Sequence, residues 1–335
     1  MNYEVLIAIL HFVFAFVITL FLTKWWISIA KKNDLVGKDM NKYAKKSVAE
    51  SGGIAVMISI ILTMLLYVFF KTFIIKTEMH FIEILIFSIC LLLAALIGFV
   101  DDMLGWKKGL RPYQKMLMSL PVAIPLMVIN AGQSVMFLPF IGSVDFGVLY
   151  PLLIIPIGVL GAVNGVNILA GYNGLETGLG IIIIGTLGMV ALLQNSLWLA
   201  LIAAIIVFSL LGFLIFNKFP ARVFPGDSLT YSIGAMIALF AVLGNMEKIA
   251  LILFIPFILE GILKARSKFK AENWGKVNKD NSLDAPYKKT YSLTHLSLKI
   301  LKRIKPSHKV YEKDVVFSLW FFEIILVIFI FLFVI

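Results

Sequence analysis

The chain has 335 residues, 61% of them hydrophobic and only 15% charged, with a mean hydropathy of +0.98 and a formal net charge of +11. These values exclude a water-soluble globular protein. Apolar blocks of about 20 continuous residues argue for helices that cross a bilayer, since a closed barrel would need short alternating segments. The single cysteine, Cys90, lies inside an apolar run and excludes an intrachain disulfide.

The expected fold class is an all-α polytopic membrane protein of about ten transmembrane helices, forming one domain over 1–335. The first block, VLIAILHFVFAFVITLFL (5–22), has no basic segment before it and reads as a permanent helix rather than a cleaved signal. Spans are expected near 3–23, 52–70, 81–100, 116–130, 148–163, 177–193, 198–216, 228–244, 249–264 and 315–335. The polar stretch 265–314 is long enough to carry structure of its own. Ten spans put both termini on one side. The loops 24–51, 101–115, 217–227 and 264–314 carry 27 of the 30 Lys and Arg, leaving only Lys71, Lys76 and Lys248 opposite. Basic residues mark the cytoplasmic side, so both termini are expected outside. The positive field on that side suits anionic lipid headgroups and phosphorylated ligands.

The unusual polar clusters follow the same asymmetry. Along the chain they are LVGKDMNKYAKKSVAESGG (35–53), GFVDDMLGWKKGLRPYQK (98–115), VNGVNILAGYNGLETG (163–178) and FPARVFPGDSLTY (219–231). Each falls in a segment expected to face the cytoplasm. Lipid offers polar groups no partners, so an acidic pair such as Asp101-Asp102 at a membrane boundary is expensive and points to function. Consecutive helical residues point about 100° apart, so the two carboxylates cannot address one atom within a helix. Asp227 follows Pro225-Gly226 and immediately precedes a span, where it can cap the helix or meet a cation. Asn167 and Asp227 together offer one amide and one carboxylate oxygen. That pair suits a Mg²⁺ ion whose remaining ligands are water and a diphosphate. Gly165, Gly171 and Gly174 let the backbone approach a ligand. There is no Walker A pattern, no CxxC or HExxH and no GxSxG, which removes P-loop, zinc and ordinary hydrolase chemistry.

NILAGYNGLETG (167–178), with Asn164 three residues before it, resembles the signature of the polyprenyl-phosphate N-acetylhexosamine-1-phosphate transferases, glycosyltransferase family 4. It is most similar to the eukaryotic and archaeal branch that uses UDP-GlcNAc and dolichyl phosphate. GFVDDMLG, VFPGDSLTY and GKDMNK match further family blocks in the same order, and the resemblance covers nearly the whole chain. It implies transfer of N-acetylglucosamine-1-phosphate to a polyprenyl (dolichyl) phosphate, with release of UMP. This is the first lipid-linked step of glycan assembly such as protein N-glycosylation. It implies that Asn167 and Asp227 hold Mg²⁺, for which Mn²⁺ can substitute. Asn173 would bind the uracil, flanked by Gly171 and Phe224, and Glu50 would contact the nucleoside. Lys115 would face phosphate, Asp101 and Asp102 would sit beside the acceptor phosphate, and Arg266 would meet the sugar diphosphate. Asn164 and Glu176 would orient the loop. Asp101 is expected as base or acceptor-orienting group, and Asp102 as partner of a lysine or a metal-bound water.

One stretch departs from the family. The segment KARSKFK (264–270) has Ser267 where a histidine is expected, and His295 and His308 match neither branch and read as solvated. Sugar recognition is therefore the part least anchored in the motifs. The expected partners are UDP-GlcNAc, the lipid phosphate and the membrane. No nucleic acid is expected, and a homodimer is compatible with the chain. The site is expected on the cytoplasmic face of the cell membrane in a prokaryote, or of the endoplasmic reticulum in a eukaryote. Two alternatives stand beside this reading. One keeps the reaction and changes the donor to another UDP-N-acetylhexosamine of cell-wall-precursor type. The other is a broken-helix transporter, which the one-sided polar clusters disfavour because such sites lie near the midplane.

Overall fold

The computed structural model describes residues 3–104, 112–138 and 142–335. It is built from helices. In chain order these are α1 (Tyr3–Lys32), α2 (Gly53–Phe70), α3 (Phe81–Leu104), α4 (Pro112–Met118), α5 (Ile124–Val128), α6 (Ile155–Ile168) and α7 (Leu175–Leu193). Then follow α8 (Leu197–Asn217), α9 (Gly226–Leu243), α10 (Glu247–Leu253), α11 (Ile255–Ala265), α12 (Leu293–Ile304) and α13 (Glu312–Phe333). Eight of the described helical segments are long and apolar enough to cross a membrane unbroken. The expected fourth and ninth spans differ from the other eight. The fourth is split into α4 and α5 by a 3-10 turn, Leu120–Val122, with Pro121 in the turn and Pro125 opening α5. The ninth is split into α10 and α11 at Phe254, just before Pro256. Proline has no N–H to give to the preceding turn and its ring crowds the carbonyl there, so each apolar run ends one helix and starts another.

The core is organised around α9, in which every residue from Ser228 to Val242 is buried. Neighbouring backbones come close because small residues face each other. A Cβ at Gly98 of α3 would collide with the Asp227 carbonyl, and one at Gly234 of α9 would collide with the Ala162 carbonyl of α6. Lipid gives helices no hydrophobic reason to associate, so close approach and dispersion carry this packing. Ser228 and Ser232 cost little inside it, because their hydroxyls bond Pro225 O (3.3 Å) and Ser228 O (2.7 Å).

Helix alternation collects the C-terminal ends of α1, α3, α6, α8 and α11 with the N-terminal ends of α2, α4, α7, α9 and α13. Two short antiparallel hairpins lie in the polar segments of that end, β1 (Val36–Lys38) with β2 (Ser47–Ala49), and later β5 (Lys276–Val277) with β6 (Leu283–Asp284). A third, β3 (Val135–Leu138) with β4 (Gly142–Asp145), lies between α5 and α6. The strand β2 also tacks down the segment before α9. Phe224 N–H donates to Ala49 O (2.8 Å), and the Gly52 and Gly53 N–H groups donate to Phe224 O and Pro225 O (2.9 Å each). Glu50 and Phe224 are thereby joined across more than 170 residues of chain. The stretch 265–314 has structure of its own, as expected, in β5, β6 and α12.

Candidate active site

A cavity of about 540 Å³ opens at this end of the bundle. Ten of the expected site residues line it: Glu50, Asp101, Asp102, Lys115, Asn167, Gly171, Asn173, Glu176, Phe224 and Asp227. They come from five separate stretches of sequence, so the polar clusters on one side of the expected topology converge in space.

At one end stand the carboxylates and a lysine. The Lys115 ammonium, from α4, is ion-paired with Asp101 of α3 and lies 3.0 Å from Oδ2 of Asp227. Burial pulls the Lys115 pKa down, but the charges of Asp227 and Asp101 outweigh it and hold the pKa above the ordinary lysine value. Lys115 therefore stays charged at neutral pH. Asp102 points elsewhere, as two consecutive residues in a helix must. Its Oδ1 accepts the Asp227 N–H at 2.7 Å and its Oδ2 the Ser228 N–H at 3.3 Å. It thus takes up free N–H groups of the first turn of α9, a place where a carboxylate also meets the positive end of the helix dipole. Asp102, expected as the partner of a lysine or a metal-bound water, makes these two backbone contacts among the described residues. Gly226, at φ +70, makes room for it, because a Cβ there would run into the Asp102 carboxylate. Asn167 donates from Nδ2 to Thr230 Oγ1 at 2.9 Å, leaving Oδ1 as its acceptor.

The other end is the loop between α6 and α7. Gly171 adopts φ +116 and Gly174 φ +87, both in the region that favours glycine. Glu176, in the first turn of α7, accepts the Gly171 N–H at 2.5 Å and closes the loop. Asn173 is 5% exposed and doubly held: its N–H donates to Glu312 Oε1 (2.8 Å) and its Nδ2 to Asp39 Oδ2 (3.1 Å). Lys42 neutralises both acids, as the ion-pair partner of Glu312 and at 3.3 Å from Asp39. Asn41 adds a bond from Nδ2 to Gly171 O at 3.2 Å. Beside Phe224, burial and then the charge of Asp227 push the Glu50 carboxyl above the usual range.

Two expected residues lie off the cavity. Asn164 faces α4 and the turn after it, donating to Ser119 Oγ (3.0 Å) and to Leu160 O (2.9 Å). Arg266 sits at the C-terminal end of α11, exposed to solvent and outside the cavity lining. His308 is exposed, as expected. His295 is not: it is 0% exposed in α12, and burial, aided by Lys264, pushes its pKa down to about 4. The solvated reading of His295 fails because α12 turns that side of the helix inward, with Leu298 and Leu301.

Several contributors carry no expectation from the motifs. Lys38, Asp39, Thr230 and Trp274 line the cavity, and Glu312, Asn41 and Asn273 hold its loop. Asp39 and Asn41 fall inside the GKDMNK block, and Glu312 is an acid at the start of the last span, both visible signals. Trp274 has no local signal.

The residues fit a divalent cation on the diphosphate. Among the described residues, six carboxylates line the cavity (Asp39, Glu50, Asp101, Asp102, Glu176 and Asp227) against two ammonium groups, Lys38 and Lys115. These described groups offer a diphosphate no net positive charge, which leaves a role for a cation on its phosphates. Among the described residues, no three His, Cys, Asp or Glu side chains could hold a metal by themselves. That suits an ion held by Asp227, Asn167 and the substrate's own oxygens rather than by an all-protein cage.

Comparison with known proteins places this arrangement. The profile of glycosyl transferase family 4 matches residues 84–245. A relative from Saccharolobus solfataricus, provisionally named a UDP-N-acetylglucosamine–dolichyl-phosphate N-acetylglucosaminephosphotransferase, is 35% identical over 96% of this chain and 95% of its own. A protein of that same activity name from Dictyostelium discoideum is 28% identical over 69% of this chain and 65% of its own. A phospho-N-acetylmuramoyl-pentapeptide-transferase from Halalkalibacterium halodurans is 30% identical over 76% of this chain and 80% of its own.

Proposed function

Because the chain belongs to glycosyl transferase family 4, we propose that it transfers N-acetylglucosamine-1-phosphate from UDP-GlcNAc to a membrane polyprenyl or dolichyl phosphate. The products are GlcNAc-diphospho-polyprenol and UMP. The observation that carries this reading is the placement of Lys115 between Asp101 and Asp227, in a cavity shared with Asn167 and Asn173. That lining has a charge-neutralising end and an amide-bearing end, as a nucleoside diphosphate requires.

The acceptor needs little activation. A phosphate monoester has its second pKa near 6, so at neutral pH it is mostly the dianion. One of its oxygens attacks the donor β-phosphorus. A new P–O bond forms, the bond from the β-phosphorus to the bridging oxygen breaks, and UMP departs. Lys115 neutralises charge on the transferring phosphoryl group, and Asp101 holds that ammonium in place. Asp227 and Asn167 would hold a Mg²⁺ ion, which would supply further charge neutralisation on the diphosphate. Catalysis of this kind is positioning and electrostatics, with no covalent work demanded of the protein. The basic loops support a cavity on the cytoplasmic surface, where a lipid phosphate can reach it while its chain stays in the bilayer.

Purified protein given UDP-GlcNAc and polyprenyl phosphate should release UMP and form a lipid diphosphate sugar. Tunicamycin, which resembles a UDP-sugar joined to a lipid tail, should inhibit. Release of UDP would mean sugar transfer without its phosphate and would overturn the assignment. The 30% identity to a muramoyl-pentapeptide transferase supports a second donor reading, tested by presenting UDP-MurNAc-pentapeptide in the same assay. Preference for that donor would change the substrate and leave the reaction intact.

A further inference from the structure

We propose that Trp274, from the long segment between α11 and α12, forms a wall of the nucleobase pocket. The inference deepens the reading above and rests on it for the identity of the donor. Its basis is how the structure fixes this one side chain.

The residue before it is clamped. Asn273 donates from Nδ2 to Ile168 O and to Ala170 O, both at 2.8 Å. Those carbonyls lie at the end of α6, where helical partners run out. The Asn273 carbonyl in turn accepts from the Tyr172 hydroxyl (3.2 Å) and from Thr294 Oγ1 (2.8 Å). Three of these hydrogen bonds weld this point of the long segment to the end of α6 and the α6–α7 loop, and the fourth ties it to α12. The weld does not need an indole. Even so, the next side chain is a tryptophan that is only partly buried and lines the cavity. It lies against Gly171, where a Cβ would stand 2.9 Å from the indole Nε1. Gly171 therefore also makes room for Trp274.

The polar groups nearby say what kind of ligand the wall meets. Trp274 is at the loop end of the cavity, beside Gly171 and Asn173, whereas Lys115, Asp101 and Asp227 form the other end. Asn173 has its Nδ2 committed to Asp39, so its side-chain oxygen is left to accept. An aromatic wall beside a fixed acceptor suits a flat heterocycle that carries an N–H, as uracil does. Stacking on an aromatic side chain rewards such a ring whatever its substituents.

The test uses UMP as the probe and full-length protein in detergent. UMP should quench the tryptophan fluorescence of the wild type. Trp274→Phe should lose most of that quenching while its affinity for UMP, measured by calorimetry, stays within about threefold, because a ring remains. Trp274→Ala should weaken UMP on the order of tenfold. In turnover, Trp274→Ala should raise KM for UDP-GlcNAc and leave KM for polyprenyl phosphate unchanged. Wild-type affinity for UMP in Trp274→Ala, or full quenching in Trp274→Phe, would overturn the proposal. So would a loss confined to GlcNAc-1-phosphate, which would move the indole to the sugar. Protein that binds UMP through Trp274 but does not turn over UDP-GlcNAc would sink the proposed reaction and leave this inference standing.

Discussion

Asp101 and Asp102 are neighbours in one helix, and their substitutions should separate stability from catalysis. Asp102 accepts two N–H groups of the first turn of α9 at 2.7 and 3.3 Å. Asp102→Ala leaves both without an acceptor in a partly buried place. An orphaned donor costs about 1–3 kcal/mol, and loss of an N-cap residue typically about 0.5–2 kcal/mol. With two donors orphaned, the expected loss is about 2–4 kcal/mol, or roughly 3–6 °C in Tm for a chain of this size. Asp101 instead pairs with Lys115, which also contacts Asp227 at 3.0 Å and would not be stranded by its loss. Asp101→Ala also removes one of three clustered carboxylates, so its stability effect should stay within about 1 kcal/mol. Both variants should lose turnover, because Asp227 shifts in one and Lys115 in the other. Gly226→Ala should mimic Asp102→Ala by displacing the same carboxylate. Thermal unfolding in detergent, read by light scattering beside UMP release, distinguishes them. Equal drops in Tm for Asp101→Ala and Asp102→Ala would refute the division of roles.

Three further outcomes follow from the site and its surroundings. EDTA should abolish turnover and Mg²⁺ or Mn²⁺ should restore it, while Asp227→Asn stays folded and loses most activity; full activity in that variant would remove Asp227 from the metal. His295 is held neutral, with a pKa pushed down to about 4 from an ordinary 6.5, so the unfolded chain takes up the proton first as pH falls. Between pH 6.5 and about 4 the wild type should therefore lose up to about 3 kcal/mol more than His295→Phe, and parallel Tm–pH curves would contradict this. Cysteines at Ser267 and Ser143 in a Cys90→Ala background should label from opposite sides of a sealed vesicle, and labelling from one side would break the topology.

Much of the site is legible because its residues announce themselves against an apolar background. Asn167, Asn173, Glu176 and Asp227 stand at the ends of membrane helices, where polar groups are costly, and all four line one cavity. What is not legible depends on contacts far apart in the chain. Glu312 is visible as an acid at the start of the last span, but its hold on the Asn173 backbone, 139 residues away, is not. The capping role of Asp102 needs the position of α9, which lies 125 residues further on. The breaks in the fourth and ninth spans are a different kind of miss. Pro121, Pro125 and Pro256 were visible, but hydropathy averaged over a window does not register a missing N–H.

The helix ends give the last reason to look to Lys115 and a cation for phosphate recognition. Two helices, α7 and α9, begin at the cavity, and free N–H groups at a helix start ordinarily make an anion site. Here carboxylates already sit at both starts. Asp102 takes the first N–H groups of α9, and Glu176 lies in the first turn of α7, turned back onto Gly171. An incoming diphosphate would have to displace a carboxylate to use either end. Among the described lining residues, the remaining positive groups are Lys115, held between two aspartates, and Lys38. Two ammonium groups, one of them already balanced by two carboxylates, fall short of neutralising a diphosphate. The net positive charge of the chain can steer anionic substrates, with a reach of about 10 Å at ordinary salt. On the proposed function, further positive charge would arrive with the substrate, as a divalent ion on its phosphates.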